Sequence, residues 1–454
     1  MGTFMSTLDA SLVSVALPTL SVDLNSELSR LQWVITAYLL VISSLLPVFG
    51  RIADLIGRKK VFSLGFIFFS FGSFLCGLAP NIGFLISMRI IEAIGASMLM
   101  ANSNAIITAN FPPQIRGRAL GLVGSVVALG SLSGPAIGGL LLEILSWRSI
   151  FYLNLPIGIL GFIAALIILP NDKPNQEKEN FDVLGALFFT TGMILILFAL
   201  SEGQDWGWDS LPIMTGITLG IVLLGSFFIT EKRVKHPIID LSLYSIKPFF
   251  IGTLASFLSF TALFTNNMLM PFYLQHVLNF TPFYVGLVMT ANPLVMAFVA
   301  PLSGKASDRI GPKKLSTVGL IFTSLGLFYL TTVTSTSSAW AVVPGPLLIG
   351  LGSGMFNSPN NSSVMGSVPK AKLGVAGGIM ALVRNVGMVI GTALSVTIFD
   401  NREASILSGI TSPDIAQQNI AFLTAYDTVL YVGGTIALIA AIISFNRKAY
   451  EAER

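Results

Sequence analysis

The chain has 454 residues, of which 53% are apolar and only 11% are charged. Soluble domains average about 25% charged residues, so this composition excludes an ordinary soluble protein and favours one that crosses a membrane many times. The net charge of +4 comes from loop cations, and no separate basic face indicates nucleic-acid binding. A single cysteine excludes an internal disulfide, two distant histidines argue against a zinc site, and the usual ATP-binding loop motif is absent. We therefore expect no metal, no cofactor and no enzymatic activity.

Apolar stretches of about 20 residues predict fourteen helices, each long enough to cross about 30 Å of hydrocarbon. The first stretch lacks the basic leader of a cleaved signal peptide. In chain order the predicted helices cover 2–22, 32–52, 62–79, 83–108, 119–142, 150–170, 182–201, 211–230, 248–274, 282–303, 315–334, 340–365, 373–399 and 425–445.

Lys and Arg collect in alternate gaps between these helices. One side holds 21 of the 26, including Arg447 near the C-terminus, and the other holds three, Arg30, Arg148 and Arg402. Because short loops rich in Lys and Arg stay in the cytoplasm, we expect a multi-pass protein of the cytoplasmic (inner) membrane with both termini inside. We also expect it to act as a monomer in the lipid bilayer. The remaining two cations, Arg89 and Arg384, fall inside apolar stretches.

One loop occurs twice. The segment Gly50-Arg-Ile-Ala-Asp54-Leu-Ile-Gly57-Arg58-Lys59-Lys60 between helices 2 and 3 recurs between helices 10 and 11 as Gly304-Lys-Ala-Ser-Asp308-Arg-Ile-Gly311-Pro312-Lys313-Lys314. A spacing of eight helices fits two six-helix halves separated by two inserted helices. The predicted domains are an N-terminal bundle over 1–170, an insert over 171–235 and a C-terminal bundle over 236–454. Halves of this kind hold a transporter's substrate between them near the bilayer midplane.

The glycines of this loop suit a very short turn between closely packed helices. Asp54 and Arg58 lie one helical turn apart and could exchange partners between two conformations. Alternatively, the cations of this loop only follow the rule that cytoplasmic loops are rich in Lys and Arg. The repeated loop resembles the motif of the major facilitator superfamily. That resemblance implies an all-α integral membrane fold and a latch on the outward-open state made by Gly50, Asp54, Gly57 and Arg58. Asp308 is the counterpart in the second copy, where Pro312 replaces the arginine.

Helix 5 carries Gly130, Gly134, Pro135, Gly138 and Gly139. Small residues four apart let helices approach closely, and the proline favours a kink, so tight packing alone could explain this run. The run also resembles the motif of exporters within the superfamily, and that resemblance implies efflux rather than uptake.

Helix 1 places Asp9 inside an apolar stretch, where an acid costs several kcal/mol unless it is neutralised or paired. It is either a structural partner of an arginine or a proton carrier. The segment from Leu8 to Pro18 resembles the helix 1 motif of the fourteen-helix drug:proton antiporters, the EmrB/QacA group, with Ser14 in place of the usual Asn. That resemblance implies that Asp9 takes part in coupling.

Helix 4 contains Arg89-Ile-Ile-Glu92, which resembles the superfamily's Arg-x-x-Gln-Gly motif, whose arginine is implicated in proton transfer. Spaced three apart, Arg89 and Glu92 could form a local ion pair, or Glu92 could be a second protonatable acid. With Asp9 and Arg384 there are two acids and two cations, which balance when all four are ionised.

The substrate cavity is predicted from polar and adaptable residues in the second half. Met and aromatic surfaces with a few amides suit varied apolar ligands, although ordinary helix packing uses the same residues. Helices 9 to 13 show no membrane-embedded acid, which disfavours divalent cationic drugs. The candidates are Asn266, Asn267, Met268 and Tyr273 in helix 9, Asn357 and Asn360 in helix 12, and Arg384 in helix 13.

The sequence thus predicts proton-coupled efflux of lipophilic, cationic or neutral small molecules, with multidrug or antibiotic resistance as the phenotype. A dedicated exporter of a metabolite, lipid or siderophore is the alternative, and an uptake symporter is a weaker one.

Overall fold

The computed structural model describes residues 1–110, 113–170, 182–231, 239–369, 372–408, 410 and 414–447. Every regular element within these ranges is helical. The fourteen long helices are α1 (Gly2–Asp23), α2 (Leu28–Ile56), α3 (Arg58–Gly77), α4 (Ile82–Asn110), α5 (Pro113–Ile144), α6 (Arg148–Ile168), α7 (Val183–Trp206), α8 (Leu211–Glu231), α9 (Lys247–Val277), α10 (Pro282–Ile310), α11 (Pro312–Leu330), α12 (Ala339–Gly366), α13 (Leu373–Leu407) and α14 (Ile415–Phe445).

Twelve of the described helices are long and apolar enough to cross a membrane, by length and composition. The predicted all-helical membrane fold is confirmed, and the largest differences lie at two helix ends. Helix α14 begins at Ile415, ten residues earlier than predicted, behind a capping box formed by Asp414 and Gln417. Helix α13 continues to Leu407. Hydropathy missed these segments because a helix can extend through polar residues once it leaves the apolar core.

The two sets of six helices use the same pairings. In the first set α1 packs on α5, and α4 packs on both α2 and α3, which also contacts α6. In the second set α9 packs on α13, and α12 packs on both α10 and α11, which also contacts α14. We call these sets the first and second bundles. The inserted helices α7 and α8 pack on each other, and α7 lies against α2 and α13.

The repeated loop has the same backbone geometry in both bundles. Gly57 has φ of 104° and Gly311 has φ of 91°, in a region that favours glycine because a Cβ would clash with the backbone. Each glycine separates two long helices that lie directly before and after it. The prediction of a very short turn at these two positions is therefore confirmed.

Arg447 differs from the prediction that it is a loop cation, because its side chain is only 2% exposed. It donates a hydrogen bond to Oδ1 of Asn360 in α12. The charge pattern showed only that this residue follows the last helix. It could not show that the guanidinium folds back into the second bundle.

Candidate proton and substrate sites

Arg89 joins two carboxylates inside the first bundle. Its Nη1 donates to Oδ2 of Asp9 at 2.6 Å and to Oε2 of Glu92 at 2.8 Å. The three side chains, which we call the charge cluster, are each at most 1% exposed. The sequence left open whether Arg89 pairs locally or with helix 1, and in the structure one guanidinium nitrogen does both.

Close crossing of α3 and α4 brings Glu92 into this position. A Cβ on Gly72 would lie 2.5 Å from the backbone nitrogen of Glu92, and one on Gly95 would lie 2.2 Å from that of Phe69. Contacts this short exclude any larger side chain without movement of the helices. Glycine at these positions therefore allows α4 to carry the cluster deep in the bundle.

Polar groups from α3 and α6 hold Asp9. Nδ2 of Asn154 donates to Oδ1 of Asp9 and to Oγ of Ser73, both at 3.0 Å. Ser73 in turn donates to the carbonyl of Phe151 at 2.9 Å. Hydrogen bonds from neutral donors lower the cost of a buried carboxylate. Asp9 is thus bound directly by α4 and α6, and Ser73 of α3 fixes the asparagine of α6.

The guanidinium of Arg89 is held by α2 as well. Its Nε donates to the carbonyl of Val34 at 3.1 Å, and its Cζ lies 4.0 Å from the centre of the Tyr38 ring. A cation over an aromatic face gains electrostatic stabilisation. Oε1 of Glu92 is buried and has no hydrogen-bond partner among the described residues.

Arg384, the fourth charge expected inside the membrane, takes no part in the charge cluster. Arg384 lies on α13 in the second bundle, and no ion pair is described for it. Its Nε is buried without a hydrogen-bond partner in the described part of the chain. The charge cluster therefore contains two carboxylates and one guanidinium. With all three ionised the cluster carries one excess negative charge, and a single proton makes it neutral. Burial favours the neutral form because an unbalanced charge in hydrocarbon is costly.

The loop after α2 places the predicted latch residues near each other. Nη2 of Arg58 lies 2.8 Å from Oδ1 of Asp54, and Nη1 donates to the carbonyl of Ala105 in α4 at 3.3 Å. Both side chains are partly exposed. A Cβ on Gly50 would meet no atom within 4 Å. The Asp308 side chain lies outside the described residues, so its role stays a prediction.

Asp54→Asn should change stability little but reduce transport. A partly exposed ion pair contributes about 0–1 kcal/mol, so we expect the thermal unfolding midpoint to move by only a few degrees. If Asp54 exchanges partners during the cycle, the transport rate should fall by about tenfold or more. Unfolding in detergent and uptake into vesicles measure the two effects. A large fall in the unfolding midpoint that accompanies the loss of transport would contradict the latch, because destabilisation would then explain the defect.

The glycine–proline run of α5 contacts two different helices. A Cβ on Gly130 would lie 2.4 Å from Oγ1 of Thr7, and one on Gly134 would lie 2.2 Å from Cβ of Ser11, both on α1. Gly138 continues this face towards Leu12, at 3.2 Å. These three glycines pack α5 on the helix that carries Asp9.

The other face of the same run contacts the second bundle. A Cβ on Gly139 would lie 2.5 Å from the carbonyl oxygen of Pro282, and one on Gly286 would lie 2.1 Å from that of Pro135. The end of α5 and the start of α10 therefore meet at backbone distance. They do so on the side of the molecule whose loops are poor in cations, so the two bundles are closed against each other there.

A cavity in the second bundle contains two of the predicted substrate residues. The cavity is lined by Asn266, Asn267 and Met270 of α9, Met289 and Asn292 of α10, and Pro346 and Ile349 of α12. We call it the amide pocket. Nδ2 of Asn267 also donates to Oγ of Ser14 at 3.2 Å, which joins the pocket to α1 of the first bundle.

The other candidates lie elsewhere. Met268 is 1% exposed in the apolar core. The Tyr273 hydroxyl donates to the carbonyl of Thr334 at 3.0 Å, and Nδ2 of Asn360 donates to that of Gly252 at 3.1 Å. Asn357 is half-buried. With Arg384, these residues are absent from the lining of the amide pocket.

Sequence reasoning missed Asn154 and Asn292. Both are amides within apolar stretches, and a polar residue inside a membrane helix is a functional signal. Asn154 begins the second of the two segments of α6, Arg148–Tyr152 and Asn154–Ile168, and Asn292 directly precedes Pro293. Their positions could have been marked from sequence, but their partners could not.

The two bundles pair their helices in the same way. One contains a buried charge cluster and the other contains a cavity, and this arrangement defines a membrane transporter. The sequence profile described as the Major Facilitator Superfamily matches residues 1–392. The chain belongs to this superfamily.

Relatives of similar length include transporters of different substrates. The chain is 37% identical over 452 residues to the riboflavin transporter RibZ of Clostridioides difficile, covering 98% of this chain and 96% of that protein. It is 31% identical to the multidrug resistance protein Stp of Mycobacterium tuberculosis, covering 96% of this chain and 82% of that protein. Among solved structures, a bacterial homologue of the lysosomal transporter Spinster, inward-facing and unoccupied, matches with a TM-score of 0.68 at 16% identity, over 98% of this chain and 94% of that one.

Proposed function

We propose that this transporter couples the entry of protons to the export of small molecules across the cytoplasmic membrane, as in the fourteen-helix EmrB/QacA drug:proton antiporters. The charge cluster is the observation that carries the proposal. Its two carboxylates share one guanidinium, so binding of one proton changes the buried charge from −1 to neutral. A step of this size in a low-dielectric interior can shift a conformational equilibrium.

Helix α1 connects proton binding to substrate binding. Asp9 faces Arg89 within the first bundle, while Ser14 on the same helix accepts a hydrogen bond from Asn267 beside the amide pocket. Protonation of Asp9 weakens its attachment to Arg89 and lets α1 move relative to α4. Because α1 also packs on the glycines of α5, the motion reaches the contact between α5 and α10.

The direction and setting follow from the motif and the charge pattern. The α5 run that resembles the exporter motif forms the closure between bundles, which supports release of substrate on the cation-poor side. The cation-rich loops and both termini face the cytoplasm in this proposal. The protein works as a monomer in the bilayer, with protons as its energy source and no cofactor. Each charge that crosses gains about 2.3 kcal/mol per 100 mV of membrane potential.

A dedicated metabolite is the second candidate substrate, in place of varied lipophilic drugs. The amide pocket is lined by three asparagines and no charged side chain, which suits a ligand with specific hydrogen-bonding groups. The similarity to a riboflavin transporter supports this second candidate, and the similarity to the multidrug resistance protein Stp supports the first.

Everted vesicles that hold an acid interior test proton coupling. Adding a transported compound should release protons from the lumen, and an uncoupler should abolish uptake of that compound. Ethidium represents lipophilic cations and riboflavin represents uncharged metabolites. Vesicles without the protein give the background. Uptake that persists unchanged with the uncoupler would remove protons from the mechanism.

A further inference from the structure

We infer that the amide pocket binds uncharged, flat ring compounds through an amide or imide edge, with Asn292 and Asn267 as the groups that select them. This inference rests on the proposed transport function and names the class of its substrate. It differs from the expectation of lipophilic cations.

Asn292 supplies free hydrogen-bonding capacity. It is half-buried, lines the pocket, and has no side-chain hydrogen bond among the described residues. Its two side-chain amide atoms are absent from the buried polar atoms that lack a partner, so both are at least partly exposed. A carboxamide offers an acceptor and a donor side by side. That pair matches the N–H and C=O of a lactam or imide, which can form two hydrogen bonds with it.

Asn267 and Asn266 have different tasks. Nδ2 of Asn267 is used towards Ser14, which leaves its carbonyl oxygen for a ligand N–H. Asn266 is occupied, since its Oδ1 accepts from the Tyr426 hydroxyl at 2.5 Å and its Nδ2 donates to Sδ of Met270 at 3.5 Å. The stacked Tyr273 ring, with its centre 5.6 Å from that of Tyr426, supports this arrangement. Asn266 therefore fixes the pocket wall rather than the ligand.

The rest of the lining favours an uncharged ring. Met270 and Met289 flank the amides, and flexible thioethers pack well on aromatic faces. The lining contains no carboxylate, so a cation would lose its hydration without gaining a counter-charge.

Equilibrium binding to the purified protein in lipid nanodiscs, with no proton gradient, tests the inference. The probes are riboflavin and lumazine, whose rings carry an imide-type N–H between two carbonyls, with 3-methylriboflavin and ethidium as comparisons. We expect riboflavin or lumazine to bind at least tenfold more tightly than both comparisons. Asn292→Leu, which keeps the branched shape and removes the amide, should weaken imide binding about tenfold and abolish discrimination against the methylated ring.

Asn110→Leu at the far end of α4 is the matched control and should bind as the wild type does. Size-exclusion chromatography shows whether each variant is folded. Equal binding of riboflavin and 3-methylriboflavin, tighter binding of ethidium, or no binding of either imide would overturn the inference. Since no gradient is present, these results are independent of proton coupling, which the vesicle experiment tests alone.

Discussion

Asp9→Asn is expected to uncouple the transporter without unfolding it. The variant should lose accumulation of substrate against a gradient by about tenfold or more, because the cluster then lacks the second carboxylate that a proton would neutralise. Arg89 keeps Glu92 at 2.8 Å, so the guanidinium is not left without a carboxylate. The asparagine can still accept from Asn154. The measurement is substrate-induced proton release from everted vesicles, together with equilibrium binding of the same substrate.

The expected signature is retained binding with lost coupling. Substrate should bind within about threefold of the wild type and should equilibrate across the membrane instead of accumulating. Arg89→Ala is the contrasting variant, since it leaves two buried carboxylates without a cation. Removal of one partner from a buried ion pair costs about 3–5 kcal/mol, so that variant should fail to fold or express.

Glu92→Gln identifies which carboxylate carries the proton. Glu92 and Arg89 lie on the same helix, so their contact persists when the helices move, whereas the Asp9 contact joins two helices. We therefore expect Glu92→Gln to transport more slowly but to keep measurable proton release. Normal proton release from Asp9→Asn would disprove the assignment of Asp9, and its loss only in Glu92→Gln would transfer the role to Glu92.

The sequence predicted the fold because hydrocarbon imposes strong constraints. Backbone groups in a bilayer must be paired within helices, so apolar length alone located the spans. The repeat of Gly50 to Lys60 at Gly304 to Lys314 fixed the number of inserted helices. Both loops then proved to have the same positive-φ glycine.

Side-chain partners could not be predicted, because they depend on how helices rotate against each other. The sequence identified Asp9, Arg89 and Glu92 as charges inside the membrane, but it left open which carboxylate pairs with Arg89. Asn154 entered the cluster from α6, and Asn292 entered the pocket from α10. Periodicity shows which residues share a face of one helix. It does not show which helix that face meets.

Gly286→Ala should open the side on which α5 meets α10. The added Cβ would lie 2.1 Å from the carbonyl oxygen of Pro135 and 3.1 Å from Cα of Gly139, and backbone atoms cannot rotate away as a flexible side chain can. Overpacking of this kind costs about 1–3 kcal/mol, which changes a two-state population ratio about 5- to 150-fold. The clash exists only while these helix ends touch, so the substitution does not raise the free energy of the open state.

Spin labels replace the exposed residues Leu145 and Tyr284 in a Cys76→Ser background. Pulsed electron paramagnetic resonance then measures the distance between the two labels. The distance distribution should move to longer values in Gly286→Ala, and the transport rate should fall because the closed state becomes less populated. Gly225→Ala on α8 is the matched control, since a Cβ there meets no atom within 4 Å. A wild-type distance distribution together with a wild-type transport rate would show that α5 and α10 do not form the closure. Slow transport with an unchanged distribution would attribute the defect to local packing rather than to the conformational equilibrium.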